Sequence, residues 1–238
     1  MTYVMSDIHG QYDKYLAMLD KIAFSDDDTL YILGDVLDRG EEPVELLWDM
    51  SLRPNVIPIL GNHELIASTL LRQLCVEVTE ENAETQITKE LLYSIAAWRE
   101  NGGDTTLAGF RRLSQEDREA LLDYIDEFLP YEVLTVGGNR FILVHGGIPY
   151  ESRKTPLDEQ PLLTLLEHRP DYLMRYFDNA YLVTGHTPTL HIGTAGSGNA
   201  YIGKIYRGHG HIAIDCGAGF GLPLGCIRLD DFREFYVQ

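Results

Sequence analysis

The 238-residue chain carries 19 basic against 37 acidic residues, a formal charge of −18, which excludes the basic footprint that general nucleic-acid or anionic-membrane binding requires. Its 45% apolar content is enough for one substantial core, and no apolar run is long enough to span a bilayer. Cys75, Cys216 and Cys226 lack C-x-x-C spacing and read as small buried hydrophobes of a reducing compartment; with no charged-then-apolar leader before the first strand, we expect a soluble cytoplasmic domain of enzyme size.

Thr2 to Met5 reads as a strand leaving at Ser6-Asp-Ile-His-Gly10. Residues two apart in extended chain face the same way, so Asp7 and His9 can converge on one ion. Tyr12, Tyr15, Leu16, Leu19 and Ile22 recur at helical spacing and predict a helix over 11–22. Asp26 to Asp28 is a solvated turn. A second apolar run, 29–33, stops at Gly34, and Asp35, Asp38 and Arg39 follow within five residues before Pro43 opens a helix with Val44, Leu47 and Trp48 on its inner stripe. Two carboxylates and a guanidinium there suit hard cations and an oxyanion, although a surface loop with a helix-capping Asp has the same composition. The third strand, 55–60, runs into Gly61-Asn-His-Glu64. Asn62 offers a carbonyl oxygen to a metal and His63 an acid or base; the competing reading is an N-cap for a helix over 64–74.

From 76 to 128 the pattern turns helical and polar. A glutamate-rich connection over 76–88 precedes a helix with Leu91, Leu92, Ile95 and Trp98, ended by Asn101-Gly-Gly103; Ser114 and Asp117 open another through 129. This block, 65–132, is expected to be a helical insertion beside the site without chemistry of its own. Strands resume at 133–136 and, past the Gly137-Gly-Asn139 turn, at 140–144, exiting at His145-Gly-Gly147. A loop over the site (150–161) leads to a helical stretch from Leu162 that includes Arg169. A strand at 181–184 exits at Gly185-His186, and 193–198 reads as a flexible loop. A hairpin of 202–207 with 211–214 leaves at Asp215-Cys-Gly217, and a last hairpin, 225–236, turns at Asp230-Asp231.

One regularity outweighs the single motifs. Five apolar strands end in Gly or Ser beside a potential ligand, at Asp7/His9, Asp35, Asn62, His145 and His186, and a sixth ends at Asp215. Sites in α/β sheets lie beyond the carboxyl ends of strands, where such loops meet. This set fits two metal ions sharing a bridging carboxylate, which at roughly 3.5–4 Å apart would clamp a phosphoryl group and activate a water as nucleophile.

The pattern resembles the calcineurin-like metallophosphoesterases, and within them the PPP-type serine/threonine phosphatases of the bacterial and phage-lambda-like branch. Ser6-Asp-Ile-His-Gly10 (usually opening with Gly), Gly34-Asp-Val-Leu-Asp-Arg-Gly40, Gly61-Asn-His-Glu64, His145-Gly-Gly147 and Gly185-His186 come in that family's order. The resemblance implies an α/β fold, one domain over 1–238, built as a β-sandwich of two mixed sheets flanked by helices. It implies that Asp7, His9 and Asp35 hold one metal and Asp35, Asn62, His145 and His186 the other. Arg39 would grip the phosphate, with Asn62 beside it. His63 would protonate the leaving group, with Asp38 orienting it and raising its pKa. For a second phosphate arginine Arg169 is the match, with Arg153 and Arg175 as alternatives. His168, His191, His209 and His211 read as surface or packing residues. The activity implied is a two-metal phosphomonoesterase acting on phosphoserine or phosphothreonine, with phosphotyrosine as a further substrate, a phosphoprotein or small phosphoester as partner and neither nucleic acid nor membrane. Dinucleoside polyphosphate hydrolases share most of the motifs and are the alternative. An inactive metal-binding adaptor is a further one, against which the intact Asp38, Arg39 and His63 speak. Carboxylate, imidazole and amide ligands suit Mn²⁺, with Fe and Zn as alternatives.

Overall fold

The computed structural model describes residues 1–77, 79–193 and 200–238. In chain order the strands are β1 (Thr2–Met5), β2 (Thr29–Ile32), β3 (Val56–Pro58), β4 (Glu132–Val136), β5 (Asn139–Val144), β6 (Ala180–Thr184), β7 (Tyr206–Gly208), β8 (His211–Ala213), β9 (Leu224–Arg228) and β10 (Arg233–Val237). The helices are α1 (Tyr12–Ile22), α2 (Pro43–Ser51), α3 (Asn62–Cys75), α4 (Ala83–Gln86), α5 (Lys89–Trp98), α6 (Asp104–Arg111), α7 (Gln115–Asp126) and α8 (Leu162–Glu167). Among the described residues the strands form two mixed sheets, ordered β10-β9-β1-β2-β3 and β4-β5-β6-β8-β7. β1, β2 and β3 run parallel, as do β5, β6 and β8, with antiparallel strands at the flanks.

Period-2 alternation assigns each strand residue to a layer. Tyr3, Met5, Leu30 and Ile32 face the helices, where they pack with Tyr15, Met18, Leu46, Met50 and Leu71. Val4, Tyr31 and Leu33 point the other way and meet Phe141, Leu143, Val183 and Ile212 of the second sheet. Ile142, Val144 and Leu182 face outward onto Leu165 and Tyr176. The chain is therefore an α/β sandwich of two mixed sheets with helices on its outer faces.

Several boundaries differ from the sequence reading. The helix from Leu162 ends at Glu167, before Arg169, because Pro170 disfavours helical backbone in the residue preceding it. The helix through Trp98 ends at Asn101-Gly-Gly103 as the sequence indicates: Gly102, at φ 106°, leaves helical backbone and kinks the chain, and a separate helix, α6, starts directly at Asp104. The connection over 76–88 contains the short α4, with Val78 outside the described residues, and the expected hairpin of 202–207 with 211–214 shrinks to β7 and β8. Of the loop expected over 193–198, residues 194–198 lie outside the described residues. Cys216 and Cys226 are buried but Cys75 is only half-buried. His211 is a packing residue, its ring edge-on to Tyr172 and Tyr176. No helix among the described residues is long and apolar enough to cross a membrane.

Candidate functional site

Because the central strands of each sheet are parallel, their carboxyl ends lie at one edge, and the exit loops cross-brace one another there. Asp7 N–H donates to Gly34 O (3.1 Å), His9 N–H to Asp35 O (2.9 Å) and Gly185 N–H to His145 O (2.8 Å). Asp7, His9, Asp35, Asp38, Arg39 and His186 all adopt the left-handed region, with φ from 47° to 69°. Non-glycine residues rarely do so, at a cost on the order of 1–3 kcal/mol each, and hold such backbone only where the surroundings over-determine it. The strain falls on residues singled out from sequence.

Glu64 is one of the devices that hold it. Fully buried at the start of α3, its carboxylate accepts N–H groups from Asp35 (2.7 Å), Val36 (2.9 Å), Leu37 (3.0 Å) and Gly61 (3.1 Å). It fixes the exits of β2 and β3 together. Gly61 has no alternative, since a Cβ there would collide with the Asp35 backbone and carboxylate.

The side chains that result present lone pairs to one another. Asp35 Oδ2 lies 3.7 Å from His9 Nε2, while Oδ1 lies 3.3 Å from His145 Nε2. Asn62 Oδ1 lies 3.0 Å from both His145 Nε2 and His186 Nδ1. His9 and His145 donate their Nδ1–H to the carbonyls of Leu37 (2.9 Å) and Leu33 (2.5 Å), which turns their Nε2 atoms inward. The Asp7 carboxylate accepts from Ser6 Oγ and His186 N–H. Acceptors aimed at acceptors are what a cation reconciles, so this donor set fits divalent ions. Ligand atoms of Asp35, His145 and His186 fall within 4.8 Å of one another, as do those of His9, Asp35 and His63.

The protonation pattern agrees at His9 and His186, while His145 is charged and directs its Nε2–H at Asp35 and Asn62. Burial drives the His9 and His186 imidazolium forms down to about 3 and about 4, leaving both neutral. Burial opposes the charge on Asp35, but His145, His63 and His9 outweigh it and hold the carboxyl well below its usual range. Burial lowers His145 too, yet Asp35 overrides it and carries it up to about 10, so ion binding there would release a proton. Asp7 is pushed up to about 7 by burial.

Beside the ligand set, His63 Nδ1–H donates to Asp38 Oδ2 (2.6 Å). Asp38 has no solvent exposure. Its Oδ2 also accepts from Trp98 Nε1 (2.9 Å) and its Oδ1 from Thr106 Oγ1 (2.6 Å), which in turn accepts Asp38 N–H (2.9 Å). Burial works against the His63 imidazolium, but Asp35 and Asp38 outweigh it and raise its pKa above 6.5. The expectation that the insertion carries no chemistry is thus corrected. α5 and α6 supply two of the donors on Asp38, the turn between them accepts Arg39 N–H at Gly102 O (2.9 Å), and Asn101 reaches the cavity. The sequence signal was a Trp, whose indole N–H needs a partner when buried, just before a Gly-Gly break. Trp98→Phe keeps an aromatic side chain, smaller by the pyrrole ring, and removes one hydrogen bond to a buried carboxylate, worth about 1.5–3 kcal/mol. We expect turnover to fall roughly tenfold, with Thr106→Val comparable, in steady-state assays.

Arg39 donates Nη1 to His9 Nε2 (2.6 Å), its Nη2 lies 3.2 Å from His63 Nε2, and its guanidinium lies 4.6 Å from the Phe220 ring. The cavity of about 200 Å³ over the site is also lined by Arg169, which reaches it from the coil after α8. Arg153 stacks on Tyr150 and donates to its carbonyl (2.6 Å), and Arg175 donates to the carbonyls of Phe177 and Asp178. Neither lines the cavity. Asp215, noted from sequence only as a strand exit, does line it, and burial raises its pKa well above the carboxylate range.

A family model described as calcineurin-like phosphoesterase matches residues 2–213. The symmetrical bis(5'-nucleosyl)-tetraphosphatase of Salmonella paratyphi B is 41% identical over 66 residues, a match that spans 27% of this chain and 23% of that protein's length. Among solved structures, a protein assigned as a diadenosine tetraphosphatase superposes with a TM-score of 0.62 at 13% identity, covering 99% of this chain and 92% of its own. A protein serine/threonine phosphatase from Saccharomyces cerevisiae gives 0.55 at 13% identity, covering 99% and 78%. At these identities the two structures bear on the fold alone.

Proposed function

The chain belongs to the calcineurin-like phosphoesterase family, and we propose that this metal-dependent hydrolase cleaves phosphomonoesters of serine and threonine in polypeptides, using 1–238 as one catalytic domain. Asp7, His9 and Asp35 would hold one divalent ion and Asp35, Asn62, His145 and His186 a second, Mn²⁺ being the ion such donors suit; when bound, the pair supplies Lewis acidity at the phosphoryl oxygens and a nucleophilic water at neutral pH. Arg39 and Arg169 bind phosphate oxygens as charged clamps. His63 gives its proton to the leaving oxygen, and Asp38 keeps the imidazole oriented and charged.

The observation that carries this reading is the buried His63–Asp38 pair, with Asp38 also held by Trp98 and Thr106. An alkoxide leaving group needs a proton in the transition state. A nucleoside diphosphate does not, because its terminal phosphate titrates near pH 6. A held imidazolium therefore serves a serine or threonine ester better than a polyphosphate. The stretch 41% identical to a bis(5'-nucleosyl)-tetraphosphatase favours the second reading, hydrolysis of a dinucleoside tetraphosphate.

Side-by-side kinetics of the Mn²⁺-loaded protein on phosphoserine peptides and diadenosine tetraphosphate decide between them. We expect kcat/KM to favour the peptides by about tenfold or more; the reverse order moves the assignment to the second reading. Arg39→Ala should lower kcat/KM by roughly 10²–10³, as for loss of one oxyanion donor. Arg169→Ala should follow the same direction, and an effect within about twofold would remove it from the phosphate site.

A further inference from the structure

The cavity walls are charged, imidazole or amide side chains apart from Pro188 and Phe220. Phe220 is 60% exposed, which is unusual for an aromatic side chain held in one place. Its turn is pinned on several sides. Asp215 Oδ1 accepts Gly217 N–H (2.9 Å), Gly217 O accepts both Phe220 N–H (2.9 Å) and Leu222 N–H (3.1 Å), and Lys14 Nζ donates to Leu222 O (2.7 Å). Ala218 is buried in the helix-side core, and Gly219 lies so close to the His9 ring that a Cβ would sit 2.6 Å from its Cδ2. With Gly217 and Gly221 at φ 91° and 79°, the turn places the ring against the Arg39 guanidinium.

A phosphoryl group makes no use of such a ring, since the ring offers no hydrogen bond and no charge. A substrate whose phosphate lay on Arg39 would bring its organic part to this ring, since the guanidinium and the ring are 4.6 Å apart. We propose that Phe220 is the specificity-determining residue of the site and takes an apolar side chain flanking the phosphorylated serine or threonine. This rests on the phosphopeptide reading given above. Covering a half-exposed aromatic with an aliphatic side chain places the preference at the lower end of what an apolar subsite provides, about tenfold.

The test uses two phosphoserine peptides that differ only in carrying Leu or Ala on both sides of the phosphoserine. Each is measured as a substrate and as a competitor of p-nitrophenyl phosphate, on the Mn²⁺-loaded protein. We expect wild type to prefer the Leu peptide by about tenfold in kcat/KM, chiefly through KM. Phe220→Ala should bring the ratio within about twofold and Phe220→Leu should keep part of it, while inhibition by inorganic phosphate shifts by less than about twofold. Equal rates on both peptides in wild type, or a preference that survives Phe220→Ala, overturn the assignment. So does a variant that weakens phosphate inhibition and both peptides alike, which would make the ring only a support for Arg39. If neither peptide is hydrolysed or competes, the phosphopeptide reading itself fails, and the subsite assignment with it.

Discussion

Asp35→Asn is expected to lower kcat/KM by roughly 10³-fold or more and to cost the protein bound metal, because one carboxylate serves both halves of the ligand set. Its Oδ2 faces His9 and its Oδ1 faces His145. A carboxamide keeps one of these acceptors and turns an NH₂ toward the other. It also removes the charge that raises His145 and His63. The exchange is nearly isosteric, and the Glu64 contact with Asp35 is to its backbone N–H, so the loop should keep its path. Elemental analysis for metal per chain, beside turnover of p-nitrophenyl phosphate, measures both effects. Two ions per chain at full activity would show that Asp35 bridges nothing.

The second large effect belongs to His63. In the scissile step the bond from phosphorus to the leaving oxygen breaks and negative charge collects on that oxygen. A serine alkoxide requires a proton there, whereas a nitrophenolate leaves without one. General-acid assistance is worth roughly 10²–10⁴-fold where the leaving group demands it. His63→Ala should therefore slow phosphoserine peptides by that factor and p-nitrophenyl phosphate far less, provided chemistry limits both. Asp38→Asn should show the same selectivity. The double variant should be little worse than either single one, since the two residues act as one device. Equal slowing of both substrates at constant metal content would instead make His63 a phosphate-positioning residue.

The strands and their exits were legible because their signals are local. An apolar run, a Gly or Ser, and a ligand-type side chain lie within a few residues, and parallel pairing brings such ends to one edge. What could not be read there depends on contacts remote in sequence. Trp98 and Thr106 reach Asp38 from 60 and 68 residues away, and nothing in their own surroundings names the partner. Glu64 looks like a capping residue in its motif, and it does accept Gly61 N–H, but three of its four hydrogen bonds go to the exit of β2. Arg169 was assigned to a helix, and the structure brings it to the cavity from coil beyond α8. Asp215 showed only as one more strand exit, because a lone Asp before Cys-Gly has no helical or strand period to give its direction.

Glu64 also bears on how the protein gains and loses its ions. A buried side chain that accepts four backbone N–H groups, together with the backbone cross-braces between the exits, ties the β2 and β3 exits through protein atoms, so the frame of the ligand set does not rest on coordination alone. Chelation should then strip activity while near-ultraviolet circular dichroism persists, and reactivation should proceed at the speed of ion entry, with no refolding phase. Glu64→Gln places two donors among those N–H groups. In that variant the frame would lean on the ions, and chelation should lower the melting temperature markedly more than in wild type.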